Sequence, residues 1–543
     1  MNSKSQLSSL ILWGVGVTSL AITPFSFDPV NASKFAALCI FGFAIISVLL
    51  SDSEFRSNVE NRIILIVSFL FVFIGLLAVI VTKNNLTQQI FGTAGRQTGY
   101  LTYVALVCFM LGSVKAASKL HVENLLKVLL LVGSISLFYG LIQTLNLDPL
   151  KWTNPLSPVI GFLGNSNFQS SFMALTAVSA IATLFKSKTA IFLRISFSVY
   201  VLLAIFLIYK SNSQQGFLVF AAGLSVIFLF WVKVRSRTFL APTAYLSFVF
   251  ISTIFVVLDI LQKAPWSSIL YKESVSNRGD MWRAGWQMTL DHPMFGIGFD
   301  NYGDWYRRSR DLESLSRGVD TISNTSHNVF LDISTSGGFP LLIAYLFILG
   351  ITLRASIRIL RRSTEFNAPI VGFIGAWVAY LVQSLISINQ IGLAIWGWIL
   401  SGTIIGFEIH TRIKNESSIK KTKEKLGAMV IGVFLGMIIG LPPLISDLVY
   451  RNAIDSREIA AVEKAAYQWP QNGDRMIQVA ATFRENELNE QALKIARAAT
   501  KFAPNRYEAW QVLASIPNLP EPEYLQAIAK MRELDPLNPS LKK

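Results

Sequence analysis

Apolar segments of about twenty residues recur along most of this 543-residue chain and constrain its fold more than any other feature. A helix of that length crosses the ~30 Å hydrocarbon core of a bilayer. The chain is 52% hydrophobic and 15% charged, whereas a soluble chain carries roughly a quarter charged residues. The sequence therefore predicts an all-α polytopic membrane protein with about 12 to 13 transmembrane helices. Thirteen spans are predicted near residues 9–25, 33–50, 62–82, 99–117, 124–145, 168–186, 190–209, 215–232, 240–262, 337–355, 368–388, 391–410 and 427–446.

Basic residues fall in alternate loops between these spans. Four arginines lie between Arg354 and Arg362 after the tenth span, and six basic residues follow the twelfth between Arg412 and Lys425. By the positive-inside rule, the N-terminus is predicted to be cytoplasmic. The first apolar run is interpreted as an uncleaved anchor, because many spans follow it. The large loop at 263–336 and, with thirteen spans, the C-terminal tail are then expected on the extracytoplasmic side.

The formal net charge of +15 does not indicate nucleic-acid binding. From Asp447 to the end, 13 Lys and Arg residues balance 13 Asp and Glu residues, so the whole excess lies in the membrane part. There it is explained as an orientation signal. The two cysteines, Cys39 and Cys108, lie in apolar runs and indicate neither a disulfide framework nor a zinc site.

The tail from 447 to 543 resembles a helical repeat domain. Pro470 and Pro504 are 34 residues apart, Pro536 follows after 32, and each proline ends an alanine-rich stretch with helical periodicity. This period is typical of tetratricopeptide repeats, which stack because one helix pair cannot bury its apolar face alone. Two interpretations remain open: a short helical appendage without a partner, or a docking surface for a protein or peptide.

Three polar stretches lie between spans on the predicted outer side. In "FGTAGRQTG", Arg96 stands between glycines, which allow a ligand to approach the backbone, and arginine suits contacts with phosphate. In "GFLGNSNF", Asn165 and Asn167 precede a helix and suit either capping or a polar ligand contact. In "SNSQQG", Gln214 opens the eighth span and allows the same two interpretations.

The large loop carries the remaining candidates. Arg278 and Trp282 are four residues apart and share one face if the segment is helical. His292 precedes a proline and is more typical of a structural turn. His327 and Asn328 lie about ten residues before the tenth span; if helical, His327 shares a face with Phe330 and Leu331. The structural alternative is a helix-start histidine with Asn328 as its partner.

Taken in order, these stretches resemble the O-antigen ligase and polymerase superfamily. The resemblance covers about residues 80 to 350, and its most specific motifs are "DHPMFGIGFDNY" and "SHNVFLDISTSGGFP". It implies a transmembrane ligase-like domain over residues 1–446, a large extracytoplasmic loop, and glycan transfer from an undecaprenyl-pyrophosphate carrier to an acceptor hydroxyl. It also implies that His327 is catalytic and that Arg278 binds substrate. Tetratricopeptide tails occur in the same superfamily.

The sequence departs from the family at one position. A family arginine in an "SR" step is replaced here, because that step reads Ser213-Gln214. Either Arg96 supplies the missing charge, or the substrate differs, or the activity is altered. We therefore expect the substrate-binding set to comprise Arg278, Arg96, Gln214, Asn165, Asn167, Asn328 and Trp282.

The expected chemistry requires neither a cofactor nor a metal, because the lipid pyrophosphate is already a leaving group. Neutral His327 would act as general base while the arginines offset the charge of the departing pyrophosphate. Trp282, Trp286, Tyr302 and Trp305 would stack on sugars or form an interfacial belt.

Other functions remain open. The acceptor is a glycan, a lipid or a protein, so a polysaccharide polymerase and a protein O-oligosaccharyltransferase are alternatives to a ligase. The repeats offer a site for a protein partner. The alternatives without catalysis are a lipid-glycan transporter and a scaffold; the span centres contain almost no charge, which argues against ion-coupled transport.

Overall fold

The computed structural model describes residues 3–150, 152, 157, 159–186, 189–236, 238, 240–260, 263, 273–412 and 425–541. The start of the predicted large loop, at 264–272, and most of the basic segment after the twelfth span, at 413–424, lie outside the described residues. Within the described residues the regular structure is entirely helical, without a strand. The prediction of an all-α polytopic membrane protein is confirmed.

In the described chain, eleven helices precede the large loop. All predicted spans of this part coincide with a helix; α3 and α5 are short connectors. The helices are α1 (Ser3–Leu20), α2 (Asn31–Leu50), α3 (Ser53–Ser57), α4 (Arg62–Val81), α5 (Leu86–Phe91), α6 (Tyr100–Ala116), α7 (Lys119–Thr144), α8 (Ser166–Leu184), α9 (Ile191–Lys210), α10 (Gln214–Arg235) and α11 (Leu240–Ile260).

The region between the ninth and tenth predicted spans, here called the outer region after its predicted side of the membrane, folds into helices of its own. A turn separates the first two of them, and a second loop leads back to the membrane part. The helices are α12 (Glu273–Asp291), α13 (Tyr302–Ser309) and α14 (Leu312–Leu315). Tyr302 and Tyr306 of α13 pack with Ala284 and Met288 of α12 and with Ile297 of the turn, forming a small separate core.

Four long helices return through the membrane part: α15 (Val329–Arg362), α16 (Ala368–Ile386), α17 (Ile391–Arg412) and α18 (Leu426–Ser456). Gly432, Gly436 and Gly440 of α18 lie four residues apart against the backbone of α2. Small residues at this spacing let two membrane helices approach closely, and this contact fixes the last span on the bundle.

The number of spans differs from the sequence prediction. Ten helices of the described chain are long and apolar enough to cross a membrane, and two further apolar helices, at Gln6–Leu20 and Tyr100–Ala116, are shorter. The remaining predicted span corresponds to α8, which carries serines, threonines and a glutamine and is buried along almost its whole length. Since α8 contacts protein rather than lipid, it does not need an apolar surface.

Five helices form the tail: α19 (Ile459–Ala466), α20 (Gly473–Glu485), α21 (Asn489–Phe502), α22 (Tyr507–Ala514) and α23 (Glu521–Leu534). They share an apolar core that starts at Tyr450 of α18 and continues to Leu534. Helices α20 and α21 pack together, as do α22 and α23. That these pairs are tetratricopeptide repeats stays a prediction.

The tail is docked against the outer region. Arg310 pairs with Asp535 at 2.8 Å with both side chains fully buried, and Arg506 pairs with Asp304 at 2.9 Å. Asn85 donates to the Phe502 carbonyl oxygen at 2.7 Å. The large loop and the tail therefore lie on the same side of the membrane bundle, which requires an even number of crossings between them; the four helices α15 to α18 provide it.

Candidate functional site

His327 occupies the position just before the helix that re-enters the bundle. Asn328 is the N-cap of α15, and its Oδ1 accepts from the backbone N–H groups of Phe330 and Leu331 at 3.0 and 3.2 Å. His327 has a φ of 53°, in the left-handed region, so it is not helical and does not share a helix face with Phe330 and Leu331. The histidine projects from a capped helix start instead.

Asp332 fixes the loop that carries the histidine. Its carboxylate accepts hydrogen bonds from the Thr325 hydroxyl at 2.8 Å, the Ser326 hydroxyl at 2.7 Å and the Ser326 backbone N–H at 2.9 Å. The His327 backbone N–H donates to Thr325 Oγ1 at 3.3 Å. One half-buried carboxylate thus restrains the residues that precede the imidazole and sets its position.

A glycine pair interrupts α15 below this loop. Gly337 and Gly338 have non-helical backbone angles, so the Phe339 N–H and the Thr335 carbonyl do not bond to each other. The "DHPMFGIG" turn satisfies both groups: Phe339 N–H donates to Pro293 O at 2.8 Å, and Ile297 N–H donates to Thr335 O at 2.7 Å. The two most specific motifs of the sequence therefore form one structural unit.

Arg96 reaches the same region from the loop between α5 and α6. Its guanidinium donates to the Asn324 carbonyl oxygen at 2.5 Å and to Asn324 Oδ1 at 3.2 Å. Asp300 holds this loop, because its carboxylate accepts from the Thr93 N–H at 2.7 Å and the Thr98 hydroxyl at 2.9 Å. Gly99 permits the loop to close, since a Cβ there would overlap the backbone of Gly92 and Ile90.

Arg278 approaches His327 from helix α12. Burial lowers the pKa of the Arg278 guanidinium, which nevertheless stays protonated at neutral pH because arginine titrates far above it. Among the described residues no carboxylate forms an ion pair with Arg278 or with Arg96.

By contrast, the neighbouring arginines of the outer region are matched. Arg283 pairs with Asp311 at 2.6 Å, and Arg317 pairs with Asp280 at 2.5 Å. Arg278 and Arg96 therefore differ from Arg283 and Arg317, because within the described chain they form no ion pair with a carboxylate. Arg308 also forms none there, but its guanidinium contacts the Trp305 ring and donates to Asn505 Oδ1.

These two cations and burial determine the protonation state of His327. Burial lowers the pKa of the imidazole to about 4 from its ordinary 6.5, and the positive charges of Arg278 and Arg96 act in the same direction. The imidazole is neutral at physiological pH and can accept a proton. The arrangement is a neutral base beside two guanidinium groups, of which Arg96 also acts on the Asp332 carboxylate.

A small cavity lies beneath the Arg96 loop, between Tyr103, Asp300, Asp332 and Asn389. Its volume is about 20 Å³, which is room for about one water molecule and not for a sugar.

Three of the predicted substrate-binding residues form a separate cluster. Asn165 is the N-cap of α8 and accepts from the Asn167 N–H at 2.8 Å, while Asn167 Oδ1 accepts from the Ser213 hydroxyl at 2.7 Å. Gln214 is the first residue of α10 and half-buried. Among the described residues, no hydrogen bond or ion pair connects these side chains to His327. Their observed contacts cap α8 and join it to the start of α10.

The aromatic residues of the outer region divide into two groups. Tyr302 and Trp305 are engaged within the region: the Tyr302 hydroxyl donates to Met281 O at 2.6 Å, and the Arg308 guanidinium lies 4.2 Å from the centre of the Trp305 ring. His292 contacts the same ring edge-on at 4.7 Å, which is a structural role.

Trp282 belongs to the other group. It lies one turn beyond Arg278, and its buried indole N–H, like that of Trp305, has no hydrogen-bond partner among the described residues. Its place beside Arg278 keeps Trp282 a candidate for substrate contact, whereas the Tyr302 hydroxyl and the Trp305 ring are engaged within the region.

Sequence reasoning did not select the residues that hold the site together. Asp300, Asp332 and Asn324 lie within or beside the quoted motifs, yet their roles depend on contacts with distant or looped segments. The one available signal was a carboxylate in each motif next to a glycine or serine loop, where backbone N–H groups need an acceptor.

Comparison with known proteins supports the resemblance over part of the chain. Residues 199–346 match the family model described as O-antigen ligase. The match spans Gln214, Arg278, Trp282, His327 and Asn328, whereas Arg96, Asn165 and Asn167 precede it. A search of curated proteins found no match. The chain is thus a multi-pass membrane protein with a region similar to the O-antigen ligases, a family that implies a lipid-linked glycan donor and a glycan acceptor.

Proposed function

We propose that this protein transfers a glycan from an undecaprenyl-pyrophosphate carrier to an acceptor hydroxyl at the outer face of the cytoplasmic membrane. The observation that carries the proposal is the neutral His327 beside two arginines that lack a carboxylate partner within the described chain. Arginine binds phosphate oxygens through paired N–H groups, and a neutral imidazole can remove a proton from a hydroxyl. The O-antigen ligase match over this region supports the same chemistry.

In the proposed step, the acceptor oxygen attacks the anomeric carbon of the donor sugar. Its proton passes to the imidazole of His327 as the new carbon–oxygen bond forms. The bond between the sugar and the pyrophosphate breaks, and the electron pair leaves with the lipid pyrophosphate. Arg278 and Arg96 stabilise the charge that develops on that leaving group. The proton is then released from His327, which restores the neutral base.

The replacement of the family arginine by Gln214 is consistent with this scheme if Arg96 supplies the missing positive charge. Arg96 lies close enough to His327 for its charge to lower the imidazole pKa, and Asp300 fixes the loop that carries it. Gln214 belongs to the separate cluster at the start of α10. We therefore assign pyrophosphate binding to Arg278 and Arg96, with Trp282 beside the donor sugar.

The test uses the full-length protein in lipid nanodiscs with a purified lipid-linked glycan and candidate acceptors. His327→Asn is the informative variant, because asparagine tolerates a positive φ and removes the base. We expect transfer to fall by about 10²- to 10⁴-fold, the usual contribution of a general base. His292→Asn is the matched control and should retain most activity. Full activity of a folded His327→Asn protein would refute the proposal.

The same assay separates the three acceptor classes. A lipid-core acceptor defines a ligase, a second lipid-linked glycan defines a polymerase, and a polypeptide hydroxyl defines a protein O-oligosaccharyltransferase. Movement of the lipid-linked glycan across a proteoliposome membrane without a new glycosidic bond would indicate a transporter instead.

A further inference from the structure

A cavity of about 980 Å³ opens at the end of the helix bundle opposite to His327. It lies between the ends of α7, α8, α9, α15, α16 and α17, at the face that the basic loops assign to the cytoplasm. None of the candidate residues for glycan transfer lines it. A ligand of this cavity would therefore be a molecule other than the glycan donor proposed to bind near His327.

The rim of this cavity is basic. Lys119, Lys127 and Lys186 line it and are exposed, and none of them forms an ion pair with a carboxylate among the described residues. The buried carboxylate of Glu408 is already matched, since three arginines lie within 3.4 Å of it: Arg358, Arg362 and Arg412. The acids Glu123 and Glu365 also line the cavity and do not balance the three lysines. The opening thus carries a positive surplus.

The wall below the rim is apolar. Leu126, Leu130, Leu193 and Phe197 line it from α7 and α9, and Ile359 and Ile370 line it from α15 and α16. A ligand of matching shape has a negatively charged head at the rim and a hydrocarbon portion against this wall. Basic pockets between membrane helices on the cytoplasmic side are typical sites for such lipids.

We infer that this cavity binds an anionic phospholipid of the cytoplasmic leaflet, with its phosphate at Lys119, Lys127 and Lys186 and its acyl chains against α7 and α9. The charge of the rim selects an anionic head over a zwitterionic one. The position of the cavity selects a lipid of this leaflet over the undecaprenyl carrier, which the proposed transfer uses at the opposite face. The inference does not depend on glycan transfer.

The test is lipid retention by the purified full chain, measured by native mass spectrometry. The probes are phosphatidylglycerol, phosphatidylethanolamine and undecaprenyl phosphate. The test variant combines Lys119→Gln, Lys127→Gln and Lys186→Gln. We expect it to retain phosphatidylglycerol about tenfold less than the natural protein, because the head group loses its counter-charges.

The control variant combines Arg235→Gln, Arg354→Gln and Arg361→Gln. It removes the same charge from the same face, at residues that do not line the cavity. We expect its retention of phosphatidylglycerol to stay within about twofold of the natural protein, since only general surface charge is lost.

A steric pair of variants tests the wall without changing the charge. Leu130→Trp fills the cavity, whereas Leu131→Trp places the same side chain on the adjacent, 60% exposed position outside it. We expect only Leu130→Trp to release phosphatidylglycerol. If the triple lysine variant does not fold, this pair of variants by itself tests whether phosphatidylglycerol occupies the cavity.

Three results would overturn the inference. Equal loss in the two triple variants would show that the lipid is held by general surface charge. Equal retention of phosphatidylethanolamine would show that the rim does not select an anionic head. Preferential retention of undecaprenyl phosphate would assign the cavity to the carrier lipid.

Discussion

His327 combines a left-handed backbone with a side chain that burial and two cations keep neutral. Neither property helps the protein to fold. A positive φ costs conformational free energy in residues other than glycine, although histidine adopts it more often than most. A desolvated imidazole lowers the stability of the folded protein wherever the unfolded chain can bind a proton that the folded chain cannot. That loss begins below the ordinary pKa of 6.5 and grows as the pH falls towards 4. Eight other described residues that are not glycine share the positive φ, so the lowered pKa, and not the backbone angle, distinguishes His327.

The lowered pKa predicts an unusual pH dependence of transfer. The neutral imidazole is the active form, so activity is lost as the pH falls through the pKa, and for kcat/KM that loss is expected near pH 4. Bound pyrophosphate is negative and raises the imidazole pKa, so the acid limb of kcat should lie at higher pH. Initial rates measured from about pH 3 to about pH 8 define both limbs.

A charge-removing variant gives an independent check of the same electrostatics. Arg96→Gln removes one of the cations that lower the His327 pKa, so its acid limb of kcat/KM should move to higher pH. Donor KM should rise as well, because one phosphate contact is lost. An acid limb that stays in place in Arg96→Gln would show that Arg96 does not act on His327.

At the scale of elements, the interruption of α15 depends on two glycines. Gly338 has a φ of 69°, and a Cβ there would overlap the carbonyl oxygen of Pro293. Gly338→Ala should therefore destabilise the protein by roughly 1–3 kcal/mol and displace His327. Gly350→Ala in the same helix meets nothing within 4 Å and serves as the control. Thermal unfolding and transfer rates measure the two effects, and equal stability of both variants would contradict this account.

The Arg96 loop depends on the carboxylate of Asp300. Asp300→Asn keeps the size of the side chain and tolerates its φ of 56°, but a neutral amide accepts hydrogen bonds from Thr93 and Thr98 less strongly. We expect a higher KM for the lipid-linked donor with a smaller change in kcat. Asp320→Asn, at an exposed position of the same region, should leave both constants unchanged.

Much of the architecture was predictable from hydropathy, whereas the span count was only approximately so. Every predicted span coincides with a helix, because a lipid-facing helix must be apolar over a fixed length. That argument does not apply to α8, because protein buries this helix and its Ser, Thr and Gln side chains form hydrogen bonds within the bundle. Hydropathy also failed to show the break at Gly337 and Gly338, which depends on an acceptor and a donor supplied by a turn far away in the sequence.

The candidate site was predictable in part. His327, Arg278 and Arg96 lie together in the structure, and Asn328 lies beside them with its side-chain oxygen engaged as a cap. Asn165 and Asn167, at the start of α8, make the simpler capping and helix-joining contacts that were the alternative interpretation, whereas Gln214 is the first residue of α10 and the contact to Asn167 comes from Ser213. Sequence spacing could not distinguish an asparagine that caps a helix from one that binds a ligand, because both occupy the same kind of position.

At the scale of the whole molecule, buried ion pairs hold the tail on the outer region. Asp535 is fully buried and pairs with Arg310 at 2.8 Å and with Arg307 at 3.2 Å. Asp535→Asn removes the counter-charge that these two buried guanidinium groups share, which should cost about 3–5 kcal/mol at this contact. We expect faster proteolysis of the tail and faster hydrogen exchange in α13.

The control for this contact is an exposed pair on a helix of the tail. Glu533 pairs with Lys530 at 2.6 Å, with both side chains exposed to solvent. Glu533→Gln should change neither proteolysis nor exchange, since exposed pairs contribute little. If the two variants behave alike, the tail is held by its other contacts with the outer region.

The break in α15 also affects how the protein responds to bilayers of different thickness. The membrane-long part of this helix starts after Gly338, while the short part that follows the histidine is bonded to the "DHPMFGIG" turn. A thinner or thicker membrane tilts long helices. With a hinge at the glycine pair, we expect such tilting to leave the imidazole where it is, so that transfer rates vary little between short-chain and long-chain lipid nanodiscs.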